Sequence, residues 1–230
     1  MSIVAREMPR AALSLPIAFV KSGEAFVPVV VQGFEPGQNL LVGADGRWQG
    51  AYTPAAYRGY PFQLARGEDG QNVLCLDEES GLITAGPEGE RFFAEDGTPA
   101  PAVKEVFDFL ATVQSNREVT TQVCAALQAH GLIKPWPLTI EVPDGRRKVD
   151  GLYMIDEAAL QALPAEALVA LRNLGALPMI YCQLLSMQNL EKLGELARGR
   201  LPQASVPAPA PEVSLDFFNK GGTIDFGKIF

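Results

Sequence analysis

Histidine is nearly missing from this sequence: His130 is the single one among 230 residues. Any site that needs two imidazoles within one chain is thereby excluded, the 2-His-1-carboxylate iron centre included. A Ser-His-Asp or Cys-His nucleophile would have to use His130. That residue precedes Gly131 at the predicted end of a helix, where an imidazolium meets the negative pole of the helix, and we read it in that local role. Cysteine is scarce and unpaired. Cys75, Cys124 and Cys182 are odd in number, far apart, and form no Cys-x-x-Cys. Zinc-ribbon and thioredoxin-type readings fail on that ground, and three reduced, buried thiols in a reducing compartment are expected. Phosphate-cradling loops are absent: neither Gly-x-Gly-x-x-Gly nor Gly-x-x-x-x-Gly-Lys-Ser/Thr occurs. Positive charge is in deficit, 19 Lys and Arg against 27 Asp and Glu for a net charge of −8. A nucleic-acid module needs clustered cations and is excluded. Long apolar runs are missing as well. The longest, residues 26–31 and 177–185, have the size of core elements and fall short of the roughly 18–20 residues that span a bilayer. The N-terminus mixes charges, and Pro16 and Lys21 break the stretch behind it, so no signal peptide and a cytoplasmic location are expected.

What is present is material for a core. Apolar residues make up 47% of the chain, ample for a folded body. β-branched and aromatic runs at residues 17–20 and 26–31, parted by Ser22-Gly23, read as paired strands. Asp45-Gly46, Asp69-Gly70 and Asp144-Gly145 each lie between apolar runs, the strongest short hairpin signal. They predict hairpins of residues 39–42 with 47–52, 62–65 with 72–76, and 138–142 with 148–155. A fourth, Asp96-Gly97, is followed by Pro99 and Pro101 and is read as the end of the β region. From Ala102 onward the apolar residues fall at helical spacing to Leu127, predicting one long helix or two shorter ones. Asp156 and Pro164 open further helices, and Pro178 another with Ile180, Tyr181, Leu184 and Leu185 on one face. A last helix carries Leu190, Leu193 and Leu196 to about Arg198.

The expected fold class is therefore α+β: a β-hairpin-rich N-terminal half, a helical C-terminal half with one inserted hairpin, and an extended tail. Residues 1–200 are read as one body, β-rich over 1–100 and mainly helical over 101–200. Residues 201–212 are a Pro/Ala linker, stiff and extended at about 3.1 Å per residue. Residues 213–230 are a Phe-rich tail.

Three features are candidates for function. Asp77 and Glu78, in the run Asp77-Glu78-Glu79, could serve acid–base chemistry or hold Mg²⁺ or Ca²⁺, or could simply be a solvated loop; EF-hand spacing is not met. Arg47, Trp48, Tyr52, Tyr57, Arg58 and Tyr60 are dense in aromatic and cationic groups. With Trp136 they suit a groove for a peptide, sugar or aromatic ligand, or half-buried strand aromatics. The tail places Phe217, Phe218, Phe226 and Phe230 behind the linker. An exposed apolar cluster needs a docking surface, either on its own body as an added strand or on a partner.

Several stretches resemble the SapC family of bacterial proteins. They are residues 26–30, Pro36-Gly37-Gln38-Asn39 onward to Trp48, Tyr60-Pro61-Phe62, Leu76-Asp77-Glu78, Pro135-Trp136, and Gly151 to Glu157 leading to Leu163-Pro164. The resemblance covers roughly residues 8–200. It implies a connection with surface-layer gene clusters, and with systems containing TonB-dependent receptors, halogenase-like and JmjC-like proteins. It supplies no catalytic motif to carry over residue by residue, and it leaves the cofactor unknown. The function expected is a non-enzymatic cytoplasmic accessory or binding protein of a surface-layer, outer-membrane uptake or modification system, acting through a protein partner. The alternatives are a carboxylate enzyme built on Asp77 and Glu78, or a small-ligand sensor.

Overall fold

A computed structural model describes residues 1–200 apart from 68, 69, 85, 87, 88, 143 and 144. The linker, the tail with Phe217, Phe218, Phe226 and Phe230, and the turn residues Asp69 and Asp144 lie outside the described residues. The chain begins with a 3-10 turn (Ala5–Glu7) running into α1 (Met8–Ala11), then the hairpin β1 (Ile17–Ser22) and β2 (Ala25–Val30). Next come α2 (Ala55–Arg58), the hairpin β3 (Phe62–Arg66) and β4 (Asn72–Leu76), and α3 (Pro101–Ala129). The second half holds β5 (Ile133–Pro135), β6 (Leu138–Val142), β7 (Gly145–Val149) and β8 (Tyr153–Ile155). It ends in α4 (Glu157–Gln161), α5 (Ala165–Asn173), α6 (Ala176–Ser186) and α7 (Asn189–Arg200). The fold class is α+β.

The central sheet draws on both halves, with antiparallel strands in the order β2-β1-β8-β5. Buried Phe26, Pro28 and Val30 alternate with partly exposed Val27 and Val29 along β2, the period of a strand with one covered face. Pro28 is tolerated because β2 is the outer strand. Its carbonyl accepts from Ile3 N at 3.0 Å, and Val30 N donates to Met1 O at 2.9 Å. A residue's N–H and C=O point to the same side of a strand, so the missing N–H of Pro28 falls on that outer side and costs β1 nothing.

β1 and β8 pair only at Phe19 and Tyr153. Two residues on, where Ile17 and Ile155 would come opposite, a side chain of α6 takes over. Ile155 N donates to Gln183 Oε1 at 2.9 Å, and Gln183 Nε2 donates to Ile17 O at 3.1 Å. Ser186 Oγ accepts from Ile17 N at 3.0 Å and donates to Gln183 O at 2.6 Å. Gln183 and Ser186 are completely buried. The core around them includes Phe19, Leu127, Leu132, Ile155, Met179 and Ile180.

α3 is a single helix of 29 residues. Its C-terminal half buries Thr120, Val123, Cys124 and Leu127, and its N-terminal half runs beside β3. His130 is its C-cap and is exposed; Gly131 follows at φ 65°. Leu132 N donates to Leu127 O at 2.9 Å and Gly131 N to Gln128 O at 3.0 Å, the paired bonds that close a helix through a left-handed glycine. α5 and α6 meet at 95°, and among the described residues no single helix is long and apolar enough to cross a membrane.

Several local expectations are corrected. Asp45-Gly46 does not join two regular strands: the segments share the isolated Val42–Trp48 bridge, and Gln49 N donates to Leu41 O at 2.7 Å. Gly46 N donates to Gly43 O at 3.0 Å and Gly43 N to Arg47 O at 2.8 Å. Only Gly46 is left-handed, at φ 76°, so the loop has three residues and a bulge rather than two left-handed positions. Asp96-Gly97 repeats this arrangement: Gly97 N reaches Ala94 O at 3.0 Å, and Phe93 bridges Pro99. It is a small hairpin instead of a mere end to the β region. The hairpin expected from 138–142 with 148–155 is split: β6 pairs with β7, and Tyr153–Ile155 leaves to join the central sheet. On α6 the buried side is Ala176, Met179, Ile180, Gln183 and Ser186, while Tyr181 and Leu185 are 54% and 65% exposed. Cys75 is exposed; only Cys124 is buried and Cys182 is partly so.

Candidate functional site

The residues around Arg47 to Tyr60 fold inward onto the N-terminal segment. Glu7 is 6% exposed, and its carboxylate accepts from Val4 N at 2.9 Å, Tyr52 OH at 2.9 Å and Ala55 N at 2.6 Å. A buried carboxylate is tolerable when its lone pairs are filled in this way. Burial, and then the neighbouring Glu7, hold the Tyr52 hydroxyl above its usual range. Arg58 donates to Tyr52 OH at 3.1 Å and lies over the rings of Tyr52 and Phe109, 5.6 and 4.9 Å from their centroids, which ties α2 to α3. Trp48 donates to Tyr52 O at 3.1 Å and packs against Tyr57, with ring centroids 5.4 Å apart. Tyr57 OH donates to Gln32 at 3.0 Å. Trp48, Tyr52, Tyr57 and Arg58 are thus joined to one another and to the frame. Arg47 stands apart, its side chain 87% exposed beside Asp45. Trp136 is 7% exposed in the core, and no ring contact joins it to the others among the described residues.

Tyr60 and Asp77 form a second, exposed pair, with Tyr60 OH donating to Asp77 Oδ2 at 3.3 Å. Desolvation, and then the Asp77 charge, raise the Tyr60 hydroxyl. The other oxygen of Asp77 accepts from Glu79 N at 3.1 Å, capping the 3-10 turn Glu78–Ser80. The carboxylate is occupied as a turn-former, and Glu78 is exposed on that turn. Among the described residues no group of three or more His, Cys, Asp or Glu side chains is placed to hold a metal ion.

An open apolar surface lies elsewhere. β3 and β4 turn Phe62, Leu74 and Leu76 toward the first turns of α3, whose Val103 and Phe107 face them across a cleft of about 610 Å³. The hairpin around Gly97 holds Phe92 and Phe93 at its edge. Phe92 meets the Phe62 ring edge-on at 6.0 Å, and Phe93 is 62% exposed. A second hollow of about 520 Å³, reaching Leu82, shares Phe62, Phe92, Phe93 and Val103 with the first. Lys104 and Asp108 are the charged groups lining the main cleft. A two-stranded hairpin is marginal by itself, and this one leaves its apolar face only half covered by α3. Sequence reasoning missed this site, although the signal was there in two adjacent phenylalanines within a stretch of glycine and charge.

A third hollow, about 760 Å³, separates residues 34–38, the β6–β7 hairpin and α7. Its walls mix Phe34, Leu138, Ile140 and Leu190 with Arg146, Arg147 and Arg198. Arg147 pairs with Glu35 across it.

The thiols differ enough for chemistry to separate them. Burial pushes the Cys124 thiol up to about 12 and raises Cys182 as well. The thiolate is the reactive form. A disulfide reagent at pH 8 should therefore modify Cys75 rapidly, Cys182 more slowly, and Cys124 only after denaturation. A fast phase that survives Cys75→Ser would contradict this.

The model of the SapC family matches residues 1–193. No curated protein and no solved structure matches the chain.

Proposed function

This chain belongs to the SapC family, and from that premise we propose that it is a non-enzymatic accessory protein. It grips a partner protein in the cleft walled by Phe62, Phe92, Phe93, Val103 and Phe107. The observation that carries this reading is Phe93, 62% exposed above an open apolar cleft. Contiguous apolar surface of this kind marks protein interaction sites, and aromatic anchors at such sites carry much of the binding energy. The lining suits a segment that offers leucine, isoleucine or phenylalanine side chains; it has little for a sugar or a charged metabolite to bond. By family resemblance the partner belongs to a bacterial surface-layer, outer-membrane uptake or modification system, with halogenase-like, JmjC-like and TonB-receptor components as the classes to look for, and the encounter takes place in the cytoplasm.

The test is a photo-reactive benzoylphenylalanine placed at position 93 in the source cell. The control is the same group at position 13, where leucine is 81% exposed outside the cleft. The reading predicts one defined adduct from position 93 that is missing from position 13. No adduct at 93, or the same adducts from both positions, would refute it.

A further inference from the structure

We infer that the partner adds itself as a further strand to the outer edge of β4. The added segment carries apolar residues at every second position, and a lysine or arginine at the end beside Glu78 and Glu79. This deepens, and rests on, the reading of the cleft at Phe93 as the partner site.

The hydrogen-bond phase of the β3–β4 hairpin decides which backbone groups are on offer. Asp77 N donates to Pro61 O at 3.0 Å and Gly67 N to Gln71 O at 2.8 Å, one on either side of the register that runs from Phe62–Leu76 to Arg66–Asn72. Bonded and non-bonded pairs alternate along an antiparallel ladder. The ladder bonds therefore fall at Gln63–Cys75 and Ala65–Val73. Asn72, Leu74 and Leu76 turn their N–H and C=O away from β3. Phe62 obeys the same phase on the other strand, its N donating to Gly59 O at 2.7 Å outside the hairpin. β4 pairs with no described strand but β3, so this row of groups faces outward.

The same residues point their side chains into the cleft, which Leu74 and Leu76 line together with Phe62. In an added strand, the residues directly opposite Leu74 and Leu76 project on that face too. One segment thus satisfies the edge with its backbone and fills the cleft with alternate side chains, the two halves of recognition by strand addition.

β4 also lacks the guards of an edge strand. Proteins blunt such edges with proline or charge. Among the described outer strands, Pro28 interrupts β2, Pro135 ends β5, and charged residues stand in β3, β6 and β7. β4, Asn72-Val73-Leu74-Cys75-Leu76, has neither. Charge then marks one end of the edge. β4 runs into the turn that exposes Glu78 and Glu79, whereas Lys104 and Asp108 in the cleft offset each other. A basic residue at that end of the added strand is attracted and an acidic one repelled.

A displayed library of random peptides of about twelve residues, long enough to cover β4, is selected on the intact chain. Enriched peptides should alternate apolar and polar residues and carry lysine or arginine toward one end, and Phe93→Asp should abolish their binding. With a selected peptide bound, the amides of Leu74 and Leu76 should exchange at least about tenfold more slowly than in the free chain. A Glu78→Lys, Glu79→Lys chain should bind that peptide at least about threefold more weakly. Apolar residues spaced as on a helix would overturn the proposal and leave the cleft as a groove for a helix. A selection that yields no peptide dependent on Phe93, unchanged exchange at Leu74 and Leu76, or unchanged affinity in the charge variant would each overturn it as well. So would protection of these amides in the free chain that vanishes on dilution, which would give the edge to a second copy. The adduct at position 93 is a separate readout, so a cleft that binds its partner without strand addition is told apart from a cleft that binds nothing.

Discussion

Replacing Gln183 with methionine should lower the melting temperature by about 4–24 °C. Methionine keeps the length of the side chain and removes its amide. Ile155 N–H and Ile17 C=O then lose the partners they have at 2.9 and 3.1 Å, and both lie where water does not reach, since Ile17, Ile155 and Gln183 are 0% exposed. A buried backbone group left without a partner costs about 1–3 kcal/mol, so the pair costs about 2–6 kcal/mol. In a chain of this size each kcal/mol moves the midpoint by about 2–4 °C. The position matters more than its single residue suggests. β1 and β8 share one register pair, and the Gln183 amide stands in for the ladder that would otherwise continue between them. A methionine variant that melts within about 1 °C of the native protein would show that the sheet closes without it.

The same residue shows where sequence reading reached and where it stopped. The run at residues 177–185 announces a core helix correctly, but its apolar residues outnumber the positions one helix face offers. Hydropathy therefore favours Tyr181 and Leu185 for the interior and Gln183 for solvent. The fold reverses this because two strand backbones diverge beside α6 and need a donor and an acceptor there. That demand arises from strands far apart in the chain, and no local pattern carries it. The hairpins β1–β2 and β3–β4, the helical span of α3 and its glycine stop were legible because each rests on neighbouring residues: Gly23 after the first strand, Gly70 before β4, the helical spacing from Val103 to Leu127, and Gly131. That α3 is one helix and not two was left open by the polar stretch at residues 114–117. The order β2-β1-β8-β5 was not, because β8 is three residues long and its pairing partners lie in both halves.

The site was legible only in part. Aromatic density drew attention to Trp48, Tyr52, Tyr57 and Arg58, and these side chains do meet. Their hydrogen bonds run to Glu7, Gln32 and the backbone, so their polarity is largely consumed within the fold. Glu7 itself gives no sign in the sequence of being a buried hub. Phe92 and Phe93 received no reading of their own, only Asp96-Gly97 being read as the end of the β region, yet the turn at Gly97 is what holds them over the cleft.

Phe93 accordingly carries the second large effect. The native side chain is 62% exposed, and exposed substitutions change stability by only about 0.5 kcal/mol. An aspartate there removes an anchor worth about 2–4 kcal/mol in a contact of this kind and forces a carboxylate to shed water against apolar walls. A loss of about 2.7 kcal/mol is a hundredfold weaker complex. The decisive measurement is the affinity of the Phe93→Asp chain for the protein captured through position 93, beside a Leu13→Asp control and the melting curves of all three chains. The account predicts binding at least about a hundredfold weaker for Phe93→Asp, native binding for Leu13→Asp, and melting curves that coincide. Native affinity in a correctly folded Phe93→Asp chain would contradict it.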